Sequence, residues 1–478
     1  MKGSLLHGVG ILFVSLVLSL ALLPAAGAQD EWTFMVYMDG DNNLEPAAID
    51  DFLEISSEGS SATVNVLALF DRIAGESTSY DDWTNTRRGI INNGDVPDSG
   101  WGVSMGELNM GDPQTVIDFA EWGMQNYPAN KYCFVFWNHG GGWRTPPEEE
   151  GKPYKAVCWD DTSAGNCLVM SEVRTALSTI ETDVEEIDLI GFDACLMAMV
   201  EVAYEIRDHA DYMVGSEKGE PNDGWPYDLI IPDLTAAPTM SAYSLGNVIV
   251  NRYYQSYGNS EIMSNVNLVS SRHATLASRI DYLANRLRNR WNADRYICGA
   301  AAYGVIEAIE DVVEHEQHGS SWAGSHGLAI YFPKTGLVFN ADYNDTVILF
   351  PGVTEWEEFL SDFYATMGGT WVETSRLNTQ VYDCSSAAGM QDYHVDLYDF
   401  CLKIIGQLPN DLWVDFYHTG TELGTFDYPY NTLAEAVASA SSGQTIMIKS
   451  SSTTETITIS GTKSLRIMAC GGAATMGL

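Results

Sequence analysis

Two residues with the chemistry of a covalent catalyst stand at the ends of two short apolar runs. The first run, Tyr132-Cys133-Phe134-Val135-Phe136-Trp137, leads through Asn138 to His139 and then to Gly140-Gly141-Gly142. The second, Ile187-Asp188-Leu189-Ile190-Gly191-Phe192, leads through Asp193 and Ala194 to Cys195. An imidazole beside a thiol can act as base and acid for a nucleophilic sulfur. A lone histidine, or a buried cysteine, is more often structural than reactive. Position reverses that reading, because each residue closes an apolar run and opens a loop. Glycines let the backbone come close to a ligand and present N–H groups, so the amides of Gly140 and Cys195 are candidate oxyanion donors.

The elements that must position this pair follow from the pattern around it. Short, continuous runs rich in aromatic and β-branched residues, bounded by Gly, predict strands covered on both faces, as in a parallel α/β sheet. Ligands in such sheets bind at the carboxyl ends of the strands, where residues from two strands meet although 56 positions separate them in sequence. Trp32 to Tyr37 and Val64 to Phe70 are expected to be the first two strands. Pro113 to Gln125 is expected to be a helix, with Asp112 as cap and Pro113 at its first position. Ser171 to Ile180 is a helix leading to the cysteine strand, and Leu196 to Arg207 a helix whose N-terminus would favour a thiolate at Cys195. Tyr212 to Gly215 is the next strand, Thr239 to Tyr254 and Thr275 to Trp291 are packing helices, and Ser325 to Pro333 is the expected closing strand.

At this point the chain resembles the clostripain family of cysteine peptidases, relatives of gingipains, legumains and caspases. Besides the His-Gly and Asp-Ala-Cys stretches, the resemblance is carried by Val36-Tyr37-Met38-Asp39-Gly40-Asp41-Asn42-Asn43-Leu44 and Leu108-Asn109-Met110-Gly111-Asp112. Gly327-Leu328-Ala329-Ile330-Tyr331-Phe332-Pro333 and Trp356-Glu357-Glu358-Phe359-Leu360 follow in order. It implies a caspase-like, mostly parallel sheet flanked by helices, and an exported endopeptidase acting on polypeptides through a Cys195–His139 dyad. In family members that cleave after Arg or Lys, an acid at the position of Asp193 contributes to the specificity pocket. A second acid is expected from the loop Ser216 to Trp225, and Asp223 is chosen there over Glu220. Relatives are commonly activated by cleavage between the histidine and the cysteine, which makes Lys155-Ala156 the expected site of self-processing. No cofactor is chemically required. Calcium dependence occurs among relatives.

Other motifs invite other readings. Asp39-Gly40-Asp41-Asn42-Asn43 begins like an EF-hand calcium loop, but Leu44 stands where the sharp turn needs Gly and a strand precedes it, so a helix cap is the better account. Gly102-Val103-Ser104-Met105-Gly106 matches a serine-hydrolase nucleophile elbow, and Ser104 is the rival nucleophile. Yet a Gly, Pro and Asp loop precedes it, and the Gly-rich oxyanion motif follows the serine instead of preceding it. His315 and His318 would share a face if helical, although two such histidines more often meet water than metal. His326 reads as structural.

Bulk properties set the context. At 478 residues, two or more domains are expected. The formal net charge of −41 argues against nucleic acid as a partner, since phosphate binding needs a basic footprint. Residues 1–28 have the charged start, apolar centre and small-residue end of a secretory signal. No other stretch is apolar enough to span a membrane, so a secreted or surface-held protein is expected. With Cys195 kept as a thiol, seven of the eight cysteines remain, so at least one more is unpaired or intermolecular. Cys384 and Cys401 are the expected disulfide, and Cys158 and Cys167 lie too far apart for a zinc knuckle.

The peptidase unit is expected over 29–367, an unassigned segment over 368–411, and a β-rich module over 412–478. In that module Gln444 to Ile448 and Glu455 to Ile459 alternate as strands, resembling the opening rung of a parallel β-helix. One or two rungs are too few to bury a solenoid core. A second function class is therefore a surface or polysaccharide-binding protein, touching glycan through this module, whose caspase-like unit is inactive.

Overall fold

The computed structural model describes residues 29–143, 157–291, 293–333, 342–365, 394–408, 411–455, 457 and 463–471. The expected signal over 1–28, the cleavage site at Lys155-Ala156, and Cys384 lie outside them.

Along the chain, the main sheet first takes β1 (Trp32–Gly40), β2 (Val64–Arg72), β3 (Thr86–Ile90), β4 (Val103–Gly106) and β5 (Tyr132–Trp137). A hairpin of β6 (Val157–Asp160) and β7 (Asn166–Leu168) intervenes. The chain then returns to the sheet with β8 (Ile187–Asp193), β9 (Ala210–Gly215), β10 (Ile262–Asn267) and β11 (Val313–His318). The order across the sheet is β11-β10-β9-β8-β5-β1-β2-β3-β4. Its centre, β9-β8-β5-β1-β2, is parallel throughout, and the outer strands on both margins are antiparallel.

The central strands read as apolar runs because both their faces are covered. In β1, Met35 and Tyr37 enter one core while Phe34, Val36 and Met38 enter the other. In β5, Phe134 and Phe136 face the first core, and Cys133, Val135 and Trp137 the second. This is the alternation that strand geometry imposes on a sheet buried from both sides. Helices Pro113–Asn126, Met170–Asp183 and Ser270–Arg290 cover one face, and Glu45–Glu58, Tyr227–Ala236 and Ala242–Tyr257 the other. The helix expected from Pro113 forms as read, with Asp112 accepting a bond from the Gln114 N–H at 2.9 Å.

Two expectations are corrected. The segment Ser325 to Pro333 does not close the main sheet: β12 (Ala329–Tyr331) pairs antiparallel with β13 (His394–Asp396) in a separate two-stranded sheet. His315 and His318 lie on strand β11, not on a helical turn, and three positions apart along a strand they point to opposite faces. The first meets Asn251 and the second Glu316.

After β13, helix Leu397–Gly406 packs Phe400, Cys401 and Ile404 into the main core. Then β14 (Asp411–Val414), β15 (Thr445–Ile448) and β16 (Arg466–Ala469) form a parallel three-stranded sheet. Its third strand is thus Arg466–Ala469, while the stretch expected as a strand at Glu455 to Ile459 falls largely outside the described residues. Trp413, Met447 and Cys470 join the main core, and Val414, Ile446 and Ile448 face a small core of their own. Among the described residues no helix is long and apolar enough to cross a membrane.

Candidate active site

Parallel register brings the two reactive loops together. Trp137, the last residue of β5, stands opposite Asp193, the last residue of β8. The Asn138 N–H donates to the Asp193 carbonyl at 3.2 Å, so the chains leaving both strands start side by side. His139 and Cys195 line one cleft, with Leu44, Trp137, Asp193, Glu220 and Gly224 among its other walls. Gly140 presses so closely on the cysteine that a Cβ there would lie 2.2 Å from the Cys195 carbonyl oxygen and 2.8 Å from its nitrogen.

His139 is half-buried and held from two sides. Its Nε2 and Asn43 Oδ1 lie 3.0 Å apart, a pair in which the ring N–H donates to the carboxamide oxygen. The Trp159 ring lies against the imidazole, centroid to centroid 5.1 Å. Asn138 ties these supports together, its side-chain N–H donating to the Asp39 carbonyl at 2.9 Å and the Trp159 carbonyl at 3.2 Å.

Cys195 is not at a helix N-terminus, and the thiolate argument built on a helix dipole is corrected accordingly. Leu196 takes a left-handed φ of 70°, and the next helix is only Val200–Ile206. The turn is instead pinned to the following loop, Leu196 N–H to the Lys218 carbonyl at 2.9 Å and Ala198 N–H to the Ser216 carbonyl at 2.9 Å. The Glu220 N–H donates to the Cys195 sulfur at 3.2 Å. Burial pushes the thiol above its ordinary pKa. The N–H groups of Glu220, Gly140 and Cys195 itself pull it back down, and Asp193 pushes it up.

The floor of the cleft is acidic. Asp193 is buried, its Oδ2 accepting from the Trp225 N–H at 3.1 Å and the Tyr227 hydroxyl at 2.8 Å, and burial lifts its pKa to about 7. Both carboxyl oxygens of Glu220 are buried without an N–H donor, and burial, then Asp193, holds its pKa well above the carboxylate range. Asp51 is buried nearby, taking the Trp137 indole N–H at 2.6 Å. Gly224, at a φ of 55°, leaves the opening: a Cβ there would sit 2.6 Å from Asp51 Oδ2 and 3.1 Å from Asp193 Oδ2.

Of the residues singled out from sequence, His139, Gly140, Cys195 and Asp193 meet here. Asp223 does not: it is exposed, and the wall of the cleft carries Glu220 instead. The loop turns at Gly224, which leaves residue 223 on its outer side. Ser104 lies on the exposed edge strand β4, with its hydroxyl 3.3 Å from Asn85 Oδ1 and the next helix starting only at Pro113, so the elbow motif has neither the strand–helix setting nor the position it requires. Asn43, Asn138 and Trp159 were not singled out. The one signal for them was adjacency, Asn138 preceding the histidine and Asn43 ending a polar loop.

A parallel α/β sheet that delivers a histidine and a cysteine from adjacent strands to one cleft has the architecture of the caspase-like cysteine peptidases. Residues 36–478 match the clostripain family, and the chain belongs to it. It is 34% identical over 230 residues to clostripain of Hathewaya histolytica, an alignment covering 43% of this chain and 42% of that relative, so less than half of the relative's length is spanned. It is also similar to a secreted cysteine protease of the same family from Bacteroides thetaiotaomicron, solved with an irreversible peptide inhibitor. There the TM-score is 0.52 and the identity 21%, with 70% of this chain and 100% of the other covered, a likeness of fold.

Proposed function

We propose that this chain is an exported cysteine endopeptidase that cleaves after Arg or Lys. The observation that carries the reading is the convergence of His139, Cys195 and the two buried acids Asp193 and Glu220 in one cleft.

His139 takes the Cys195 thiol proton, and the sulfur attacks the scissile carbonyl carbon. The oxyanion that forms takes hydrogen bonds from the Gly140 and Cys195 N–H groups, which already lower the sulfur's pKa and need little rearrangement. His139, held by Asn43, protonates the leaving amine, and the thioester that results is hydrolysed by a water that His139 activates. Asp193 and Glu220 receive the basic side chain. In the absence of a cation burial raises the pKa of both, and a guanidinium or ammonium between them would favour their charged forms and make charge-assisted hydrogen bonds. Neutral side chains would leave that acid pair uncompensated, which is the basis of discrimination. The same preference makes self-cleavage at Lys155 consistent with the site, and intact-mass analysis of active protein showing one uncut chain would refute it.

A fluorogenic panel with Arg, Lys, Asn, Asp and Leu at P1 tests the proposal. Activity after Arg or Lys that vanishes in Cys195→Ala is expected; activity surviving that change but lost in Ser104→Ala would overturn it. The rival, an inactive unit on a glycan-binding protein, draws on Tyr417 and Tyr428, 68% and 49% exposed beside the C-terminal sheet. Glycan retention without hydrolysis of any peptide in the panel would favour it.

A further inference from the structure

The loop that pins the cysteine turn carries a buried acid of its own. Glu217 lies between Ser216 and Lys218, whose carbonyls take the N–H groups of Ala198 and Leu196, and shortly before Glu220, whose N–H reaches the Cys195 sulfur. Its side chain meets the carboxyl of Asp396, the last residue of β13, within hydrogen-bond reach. Glu217 is 0% exposed and Asp396 1%. The bonds around them show where a proton belongs. Asp396 already accepts two backbone groups, the His326 N–H on Oδ2 at 2.6 Å and the Asp399 N–H on Oδ1 at 2.6 Å. Glu217 Oε1 accepts the Gly327 N–H at 2.7 Å, while Glu217 Oε2 is buried and no donor reaches it. Two carboxyl groups in contact away from water do not both ionise. Asp396, served by two donors, is the better anion, and the oxygen that lacks a donor is the one to carry the hydrogen.

The charged groups around the pair do not neutralise it. Lys218 is engaged by Glu261, His318 of β11 by Glu316, and Lys403 by Asp399. His326 Nδ1 stands 4.0 Å from Asp396 Oδ1, but burial lowers its pKa and disfavours its charged form. Glu316 and Asp399 add negative charge, and His394 gives a ring N–H to the Glu217 carbonyl at 3.1 Å. We propose that Glu217 and Asp396 share one proton, Glu217 Oε2–H donating to Asp396, and that this bond positions the loop 216–220 against Cys195.

Burial lifts Asp396 to about 7 and, with Asp396 beside it, holds Glu217 well above the carboxylate range. Losing the last proton in alkali sets two anions against each other. Glu217 then moves away from β13, and the carbonyls on either side of it, which tie residues 196 and 198, move with it. The pair also draws β13, beyond the expected peptidase unit of 29–367, into the support of the site. The shared proton stands on its own contacts; its effect on hydrolysis rests on the peptidase reading.

The test uses the full chain. Glu217→Ala removes the bond, whereas Glu217→Gln keeps it through an N–H that cannot be lost. With an Arg peptide, kcat is expected to fall about 10–100-fold in Glu217→Ala at nearly constant KM, and to recover to within about threefold of wild type in Glu217→Gln at about pH 6. The ratio of kcat in Glu217→Gln to that in wild type should then climb at least about fivefold by about pH 9. Asp396→Asn would set an NH2 against one of the two backbone donors, and its kcat should stay about tenfold down. A second readout needs no hydrolysis. Glu217 binds its proton more tightly folded than unfolded, so it adds stability in acid that is lost as pH climbs above 4.5 toward its folded value. The unfolding midpoint of wild type should therefore drop relative to Glu217→Gln by roughly 2–5 °C between about pH 5 and pH 8. A midpoint difference that does not change with pH, or Asp396→Asn tolerated where Glu217→Gln is not, would overturn the shared proton. A kcat ratio flat across pH beside a sloping midpoint would overturn the positioning role. A sloping midpoint in a chain that cleaves no peptide would sink the peptidase reading and leave the pair standing.

Discussion

Glu220→Gln isolates the charge of the cleft floor from its shape. The glutamine side chain fills the same space, and the backbone N–H that reaches the Cys195 sulfur at 3.2 Å is untouched. What is lost is one buried carboxylate facing the basic P1 group. Taking the charges to be about 5 Å apart with an effective dielectric of about 20 gives an interaction of roughly 3 kcal/mol. At 1.36 kcal/mol per decade this is a fall of about 100- to 300-fold in kcat/KM for an Arg substrate. A Leu substrate lacks the charge, and its kcat/KM should change by less than about threefold. The assay is steady-state hydrolysis of matched Arg and Leu peptides, with active-site titration to count competent enzyme. Equal losses on both peptides would mean that Glu220 supports the cysteine loop and does not read P1, and the pocket argument would fail.

Three further outcomes follow from the same geometry. Asp193 rises from 3.8 to about 7 on folding because it is buried, so the folded chain holds that proton more tightly than the unfolded one. The stability this confers is present in acid and is lost as pH climbs from about 4 to about 7; Asp193→Asn should therefore raise the unfolding midpoint at pH 8 and leave it nearly unchanged at pH 4, and the reverse pattern in calorimetry would refute the assignment. Gly140→Ala, whose Cβ would lie 2.2 Å from the Cys195 carbonyl oxygen, should lower kcat by about 10²–10³ through a displaced oxyanion donor, while benzamidine binding in the cleft changes less than about threefold. Asn43→Ala removes one support of the imidazole ring and should lower kcat by about 10–100-fold with KM nearly constant; a pure KM effect would contradict a positioning role.

Local pattern was enough to find β5 and β8, the strands that carry the dyad, because a strand buried on both faces is apolar along nearly all of its length, as β5 is throughout. The helix at Pro113 was equally legible, since cap, proline and apolar spacing all act within a few residues. The helix expected straight after Cys195 was not, because its start is set by the ties of Leu196 and Ala198 to the loop ending near Glu220, not by propensity. The helix Leu397–Gly406 was also unread, since it is held by packing against a helix about a hundred positions earlier.

By itself the amino-acid sequence determined which residues could react, and the two strands that would present them, because reactivity is a property of residue type and buried strands announce themselves by composition. Which acid faces the cleft, Glu220 and not Asp223, which asparagine holds the imidazole, and that Glu217 meets Asp396 were decided only by the tertiary structure. Those outcomes depend on the direction in which a loop turns and on contacts between residues far apart in the chain, and neither leaves a local pattern to read.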